Sequence, residues 1–379
     1  MEAVNTHVAI DWGFRNGPRL ARITFSGKTM RLLLAAAVSL LSVSAARAET
    51  TTIRVGWCAS TVSSGASPFA IAQKMGWFEE KGVKVILTPL PGATDCVKQV
   101  ATGELPFSMP SIEPVLIIHP QGVKGKLFYT TYQSFTYGIA VPADSPIQTF
   151  ADLKGKTIGV ISMASGGVVV ARAQLASAGL DPNTRAHIVV AGEGAQTAAL
   201  LRSKQIDALS QFDTQYAMVE NAGQKLRQLP LGEMAPFPGN GLFALEKTLA
   251  NRHAEAVALG RGLAMGEAFA MANPEAAIRI MYEVYPQTKP TGKDEETAIR
   301  DDVKVLRARM AHWDLASGGV TKWGEGNMTN YTGYIDFLTK WKVVPGGVPA
   351  ADVVTNDLVD EMNAFDQPKI EAAAKAWKP

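Results

Sequence analysis

The sequence has few histidines and lacks the spaced motifs of common hydrolases and metalloenzymes. Neither G-x-S-x-G nor H-E-x-x-H occurs, so nucleophile-elbow hydrolases and zincins have no support. Gly155-Lys156-Thr157 ends like a P-loop, but Phe150 stands where its first glycine is required. The four histidines after residue 48 show no metal-ligand spacing: His119, His187, His253 and His312. We therefore expect a protein that is not an enzyme, with no catalytic residue, metal site or cofactor.

A long apolar run is also missing from the N-terminal segment. The run 32–43 has 12 residues, fewer than the roughly 20 that a membrane-spanning helix needs. Arg31 precedes it and Ala46-Arg47-Ala48 follows it, which is the pattern of a secretory signal peptide. We expect residues 1–48 to be a leader with its signal core in 30–48. Met30 would then be the true start, with cleavage after Ala48 and export from the cytoplasm.

Excess charge of either sign is small once this leader is removed. Six of the 37 basic residues and two of the 35 acidic ones lie in residues 1–48, so 31 basic and 33 acidic residues remain, a formal net charge of −2. The basic balance of the whole chain therefore belongs largely to the leader. Nothing in the remaining charge favours nucleic-acid binding.

Cysteine is limited to Cys58 and Cys96. In an oxidising compartment an even pair is a disulfide candidate, although two free thiols are the alternative. The two residues follow the first and second predicted strands, which brings them near each other if those strands pair in parallel. Neither lies at the cleavage site, so we expect no lipid anchor.

The segment 53–87 predicts a strand, a polar loop, a helix and a second strand. The loop 57–67 is rich in Ser and Thr. Ser67-Pro68 is typical of a helix start, because a serine oxygen can cap the helix and proline fits its first turn. Ligands of open α/β sheets bind at the carboxyl ends of the strands, which is where this loop lies.

Strand and helix signals alternate to about Leu229, with breaks at Pro142 and at 236–241, and helical patterns follow. This order predicts an α/β protein with two lobes, 49–141 plus 241–379 and 142–240. Two chain crossings near Val141 and Gly241 would form a hinge. The cleft between the lobes is the expected small-molecule site.

Three segments resemble a known family. They are PFAIAQKMGWFEEKGV at 68–83, FADLKGKTIGV at 150–160 and ARAQLASAGLDP at 171–182. All three are similar to periplasmic substrate-binding proteins for nitrate, taurine, alkanesulfonates and thiamine pyrimidine precursors. The resemblance implies a type II periplasmic binding fold with a hinge and an interlobe cleft. It also implies a monomer that binds a small solute and delivers it to the transmembrane subunits of an ABC permease.

That fold would bring polar groups at helix N-termini and strand ends together in the cleft. The candidate ligand-binding residues are Trp57, Ser67, Ser111, Tyr132, Ser162, Ser165, Gly166, Gly167, Glu193, Gln211, Phe212 and Asp213. For the serines, simple helix capping is the alternative to ligand contact. For the aromatic residues, including Phe135, the alternative is burial in a core.

No Arg or Lys lies in the predicted cleft loops. An oxyanion pocket often recruits a cation, so this absence favours a ligand with an amino or ring N–H group. Asp213 would suit such a group, or it would cap a helix over 214–222. Phe212 and Thr214 depart from the Val-Trp-Asp-Pro that many members have at 211–214, which puts the pocket's shape in doubt.

Three functions follow. The first is a binder of a small organic anion or zwitterion of the taurine, sulfonate or nitrate type. The second is a binder of a thiamine-pyrimidine or flavin precursor. The third is an enzyme like the yeast-type pyrimidine synthase, which the signal peptide and the lack of a His/Cys cluster disfavour.

Overall fold

A computed structural model describes residues 50–379. The predicted leader 1–48, with its cleavage after Ala48, lies outside these residues. The strands are β1 (Thr51–Trp57), β2 (Val83–Pro89), β3 (Phe107–Ser108), β4 (Gly125–Thr130), β5 (Tyr137–Pro142), β6 (Thr157–Val160), β7 (His187–Val190), β8 (Ala208–Phe212), β9 (Leu226–Gln228) and β10 (Gly241–Leu245).

Helices connect these strands and form the C-terminal third of the chain. The α-helices are α1 (Ser67–Lys74), α2 (Ala93–Ala101), α3 (Glu113–Ile118), α4 (Gly166–Ser177), α5 (Gly194–Arg202), α6 (Asp213–Asn221), α7 (Glu246–Asn251), α8 (His253–Ala272), α9 (Pro274–Val284), α10 (Glu295–Met310), α11 (Leu315–Gly318), α12 (Met328–Lys340), α13 (Ala350–Val353), α14 (Val359–Met362) and α15 (Gln367–Ala376). Short 3₁₀ turns cover Ser64–Ala66, Glu79–Lys81, His119–Gln121, Phe150–Leu153, Gly232–Met234 and Pro286–Thr288. No helix of residues 50–379 is both long and apolar enough to cross a membrane.

The first sheet has the strand order β2-β1-β3-β10-β4. β1 pairs in parallel with β2 and with β3, whereas β10 runs antiparallel to β3 and β4. The parallel pairing of β1 and β2 is the one that the segment 53–87 predicts. Because the strands are parallel, the segments that follow β1 and β2 lie at the same edge of the sheet.

The second sheet has the order β7-β6-β8-β5-β9 and forms a second lobe. β5 pairs antiparallel with β8, with Tyr137 opposite Phe212. The chain therefore passes between sheets within 131–136, earlier than the crossing that we predicted near Val141. Pro142 ends β5 and opens a turn in which the Ser145 N–H donates to its carbonyl at 2.9 Å, so this proline marks a turn within the second lobe. The return lies within 229–240, as the second break indicates.

Helix α8 is apolar on nearly every side because other helices surround it in the first lobe. It packs closely against α1. A Cβ built on Gly266 of α8 would lie 2.2 Å from the carbonyl oxygen of Pro68 in α1. The absence of a side chain at Gly266 therefore sets the distance between the two helices.

We expect Gly266→Ala to lower the free energy of unfolding by about 1–3 kcal/mol, because the added methyl group forces the two backbones apart. Gly333→Ala in the middle of α12 is the matched control. Its Cβ would meet its nearest atom, Cε1 of Phe237, at 3.4 Å, so helix propensity should raise stability by up to about 1 kcal/mol. Urea unfolding measures the free energy of unfolding of both variants. A change in the same direction for Gly266→Ala and Gly333→Ala would contradict this account.

Candidate ligand site between the lobes

A cavity lies where the carboxyl ends of strands from both lobes meet. Its volume is about 30 Å³, which is room for roughly two water molecules. Its lining is mostly aromatic and polar: Trp57, Cys58, Ala59, Ser63, Met109, Tyr132, Thr136, Tyr137, Phe212, Thr214, Asn240 and Arg309.

Arg309 brings a positive charge into this cavity. Its side chain is 6% exposed and its guanidinium carbon lies 3.9 Å from the centroid of the Tyr132 ring. The Phe212 ring is 5.5 Å away on the other lobe. Stacking of this kind stabilises a desolvated guanidinium by roughly 2 kcal/mol or more. The arginine is therefore held against an aromatic wall, and its Nη2 also donates to Thr214 Oγ1 at 3.5 Å.

Asp213 supplies the opposite charge from the second lobe. Arg309 Nη2 lies 2.7 Å from Asp213 Oδ1, and the aspartate side chain is also 6% exposed. Two further contacts join the same helices: Asn221 Nδ2 donates to the Asp301 carbonyl at 2.9 Å, and Lys304 pairs with Glu220 at 3.3 Å. Helix α10 thus meets α6 along a seam between the lobes, where Arg309 lines the cavity and Asp213 lies outside its lining.

This ion pair leaves hydrogen-bonding capacity unused. The 2.7 Å contact is close but poorly directed, and neither Asp213 oxygen accepts a hydrogen bond from any residue in 50–379. Arg309 Nε donates none within the same residues. Buried polar atoms in folded proteins are nearly always satisfied. Ligand atoms that donate to Asp213 and accept from Arg309 would meet this need.

The predicted absence of a cation is therefore wrong. That prediction considered only the cleft loops, whereas Arg309 comes from helix α10, distant in sequence from every predicted strand end. The sequence did carry a signal for it. Val305 and Leu306 are buried, and Arg309 follows them at the i+3 and i+4 spacing of one helix face. A charged residue on an apolar face of this kind points to a buried partner.

The structure also decides what Asp213 does in its own helix. We predicted a cap for a helix over 214–222 as its alternative role. Helix α6 begins at Asp213 itself, with Phe212 at the cap position and no side-chain cap. The carboxylate is instead directed toward Arg309, with His312 Nε2 3.9 Å away. The capping interpretation is therefore wrong.

Three of the predicted aromatic residues line the cavity: Trp57, Tyr132 and Phe212. Trp57 Nε1 donates to the Thr61 carbonyl at 2.8 Å, which holds the following loop against the ring. Phe135 instead packs in a core with Phe237 and Tyr334. For Phe135, burial in a core, the alternative to a place in the cleft, is therefore the correct interpretation.

The glycines after β6 serve packing rather than the cavity. A Cβ on Gly167 would lie 2.3 Å from the Ser210 carbonyl oxygen, and one on Gly166 would lie 2.7 Å from Ser111 Oγ. Ser165 caps α4 by accepting from the Gly167 N–H at 3.1 Å. The cavity lining includes none of Ser165, Gly166 and Gly167.

Ser67 and Ser111 lie outside the cavity lining as well, and both hydroxyl oxygens are buried. The Ser111 side chain faces Glu113 and Tyr137 instead. Ser67 is the first residue of α1 and does not cap it, since Ala66 holds the cap position. The predicted cap at Ser67 is therefore wrong. The 3₁₀ turn Ser64–Ala66 leads directly into α1, and the Ser67 N–H donates to the Ser64 carbonyl.

The other predicted residues make contacts near the cavity rather than lining it. Glu193 Oε2 accepts from Thr61 Oγ1 of the first lobe, and Ser162 Oγ donates to the Pro91 carbonyl at 2.7 Å. Gln211 Nε2 donates to the Gly192 carbonyl at 3.0 Å within the second lobe. Glu193 and Ser162 thus join the lobes.

Cys58 and Cys96 form a disulfide with their Cα atoms 5.8 Å apart. Cys58 lines the cavity, and Cys96 is buried on α2. Within the described chain, no group of three or more His, Cys, Asp or Glu residues could hold a metal ion.

A family model described as NMT1/THI5 like matches residues 64–277, more than half of the chain. This chain belongs to the NMT1/THI5-like family. Riboflavin-binding protein RibY of Chloroflexus aurantiacus is 23% identical over 227 residues, which are 59% of this chain and 64% of that protein. The match thus spans less than two thirds of the relative's length.

Solved structures confirm the two-lobed type II periplasmic binding fold of this NMT1/THI5-like protein. A protein from Bordetella bronchiseptica RB50 has a TM-score of 0.64 and 20% identity, over 83% of this chain and 98% of that one. The alkanesulfonate-binding protein SsuA from Xanthomonas axonopodis pv. citri, bound to MOPS, has a TM-score of 0.59 and 17% identity, over 81% and 99%. At these identities the likeness concerns the fold.

His312 provides a pH-dependent probe of the site. Burial lowers the pKa of His312 below its usual 6.5, Asp213 opposes that shift, and Arg309 adds to it. The ring is fixed by Ser134 Oγ, 2.8 Å from Nδ1. The folded protein therefore disfavours the imidazolium.

We expect stability to fall as the pH drops below about 6.5, because the unfolded chain then binds a proton that the folded chain takes up only at lower pH. His312→Gln should remove this component, which is at most about 1.4 kcal/mol per pH unit. Urea unfolding at about pH 7.5 and about pH 5.5 compares wild type and variant. An identical pH dependence in both proteins would show that His312 titrates alike in the folded and unfolded chains.

Proposed function

We propose that this protein is the solute-binding component of an ABC importer and that it captures a small organic anion or zwitterion between its lobes. The observation that carries the proposal is the buried Arg309 in the lining of an aromatic-walled cavity, paired with Asp213 of the opposite lobe, which lies outside that lining. The family and the fold support this role without identifying the solute. The partners are the small solute and the transmembrane subunits of a permease, with the binding protein acting as a monomer.

Charges on opposite lobes give a physical reason for closure. A solute that contacts both Arg309 and Asp213 binds fully only when the lobes meet, so it shifts the population toward the closed form. Segments 131–136 and 229–240 connect the sheets, and we propose them as the hinge. Micromolar capture corresponds to about −8 kcal/mol, and the process requires no covalent chemistry.

The same groups define the chemistry of the solute. A carboxylate or sulfonate would accept from Arg309 Nε, which donates to no residue in 50–379. An amino group would donate to Asp213, whose oxygens have unused acceptor capacity. Apolar parts would lie against Trp57, Tyr132 and Phe212. A taurine- or sulfonate-like solute fits these requirements.

A pyrimidine or flavin precursor is the second candidate. The aromatic walls and the similarity to a riboflavin-binding protein favour it. A pyrimidine-synthase-like enzyme is the third, and an absorbing cofactor in the purified protein would indicate it.

We expect a thermal-shift and calorimetric screen of taurine, alkanesulfonates, MOPS, nitrate, aminopyrimidines and riboflavin to detect a compound that carries an acidic group. Arg309→Gln should weaken its binding roughly 10- to 100-fold, because a charge-assisted hydrogen bond contributes about 1.5–3 kcal/mol. Asp213→Asn should weaken only compounds that also carry an amino or ring N–H group. Arg307→Gln, at an exposed position of the same helix, is the matched control.

The competing outcomes are distinct. Tight binding of riboflavin or an aminopyrimidine, with no acidic compound bound, would favour the precursor function. Equal losses in Arg307→Gln and Arg309→Gln would place the solute away from this cavity. Binding of none of these compounds, in a correctly folded protein, would contradict the proposed solute class.

Export to the periplasm is part of the same proposal. Expression of the whole chain in a Gram-negative host should yield a periplasmic protein whose first residue is Glu49, because cleavage follows Ala48. Intact mass and N-terminal sequencing of the periplasmic fraction measure this. Retention of residues 1–48 on a cytoplasmic product would contradict it.

A further inference from the structure

Two segments of the first lobe contact the second lobe beside the cavity. The first is the cleft loop, residues 58–63. Its Cys58, Ala59 and Ser63 line the cavity, and Thr61 Oγ1 donates to Glu193 of the second lobe. The bond from Trp57 Nε1 to the Thr61 carbonyl sets the shape of this loop. The cleft loop is thus both a cavity wall and a point of contact between lobes.

The second segment is the start of α2, residues 91–96. The Thr94 N–H donates to the carbonyl of Ala164 in the second lobe at 3.1 Å. Helix α2 has no side-chain cap of its own, with Gly92 at the cap position. The second lobe therefore satisfies one of the N–H groups that every helix start leaves open.

The contact at Gly92 leaves no room for a side chain. A Cβ at this position would lie 2.5 Å from the Ala164 carbonyl oxygen. Ser162 Oγ adds its bond to the Pro91 carbonyl. The two backbones thus meet directly at the start of α2.

The disulfide joins these two segments. Cys58 lies three residues before Thr61, and Cys96 lies two residues after Thr94. Cys96 is fully buried, and its carbonyl accepts from Ser108 Oγ at 3.3 Å, which fixes this end of α2 to β3. A continuous chain of bonds therefore runs from Glu193 through Thr61 and the disulfide to Thr94 and Ala164.

We infer that Cys58 and Cys96 are positioning residues whose disulfide couples the contact at Thr61 to the contact at Thr94. With the disulfide intact, the second lobe meets both segments as one unit. Without it, the cleft loop moves independently of α2, and each contact forms or breaks alone. A second consequence rests on the proposed function. Loss of the disulfide reduces the free energy of solute binding more than it reduces the free energy of unfolding.

Hydrogen exchange at the Thr94 amide, measured by NMR, tests the coupling without any solute. We compare wild type, Thr61→Val, Cys58→Ser/Cys96→Ser and the combined variant. Thr61→Val removes only the hydroxyl that reaches Glu193. It should speed exchange at Thr94 about threefold or more in the disulfide-bonded protein and leave the rate unchanged in the serine pair, as coupled sites do in a double-mutant cycle.

Two controls separate coupling from general loosening. The amides of Val55 in β1, opposite Leu87, and of Val85 in β2, opposite Ile53, report the stability of the first sheet. Thr332→Val, at an exposed position of α12, repeats the Thr-to-Val change far from the cleft. The inference is overturned if Thr61→Val has the same effect on Thr94 with and without the disulfide, or has none in either protein.

Calorimetric titration with taurine tests the consequence for binding. The serine pair should bind taurine at least about tenfold more weakly than wild type, while the Arg307→Gln variant binds as wild type does. Equal affinities would overturn this consequence even if taurine binds. If taurine binds neither protein, the taurine-like solute of the proposed function fails, and the exchange experiment still decides the coupling.

Discussion

The interlobe ion pair of Arg309 and Asp213 is the interaction on which the site depends. Both side chains are buried, and each comes from a different lobe. Removal of one partner from a buried pair costs about 3–5 kcal/mol because the other charge stays desolvated. The Tyr132 ring lowers that cost on the arginine side by covering the guanidinium face. The charges therefore constrain how the lobes meet.

Around this pair, the structure also places backbone and covalent constraints. Gly92 lets two backbones touch, and the disulfide fixes the cleft loop to a buried helix. Phe212 and Trp57 complete the walls from opposite lobes. A cavity built in this way is shaped mainly by the main chain and aromatic rings, which lose little entropy on binding. Its specificity then rests on few polar groups, as is usual for small-molecule sites.

Much of the fold was predictable because its signals are local. The segment 53–87 contains an alternating strand, a helix start and a second strand, and β1, α1 and β2 form there. One error came from a break in the pattern. Pro142 was interpreted as a lobe boundary although it ends β5. Local breakers mark turns, but which sheet a strand joins depends on partners far along the chain.

By itself, the sequence determined the family, the two-lobed class, the cysteine pair and the position of the cleft at strand ends, because propensity, periodicity and motif similarity are properties of neighbouring residues. Only the tertiary structure decided which side chains face one another. Asp213 and Arg309 meet because α6 and α10 converge, and no spacing between residues 213 and 309 encodes that contact. Burial makes this contact energetically important, because each desolvated charge is costly without its partner, whereas in water it would be solvated.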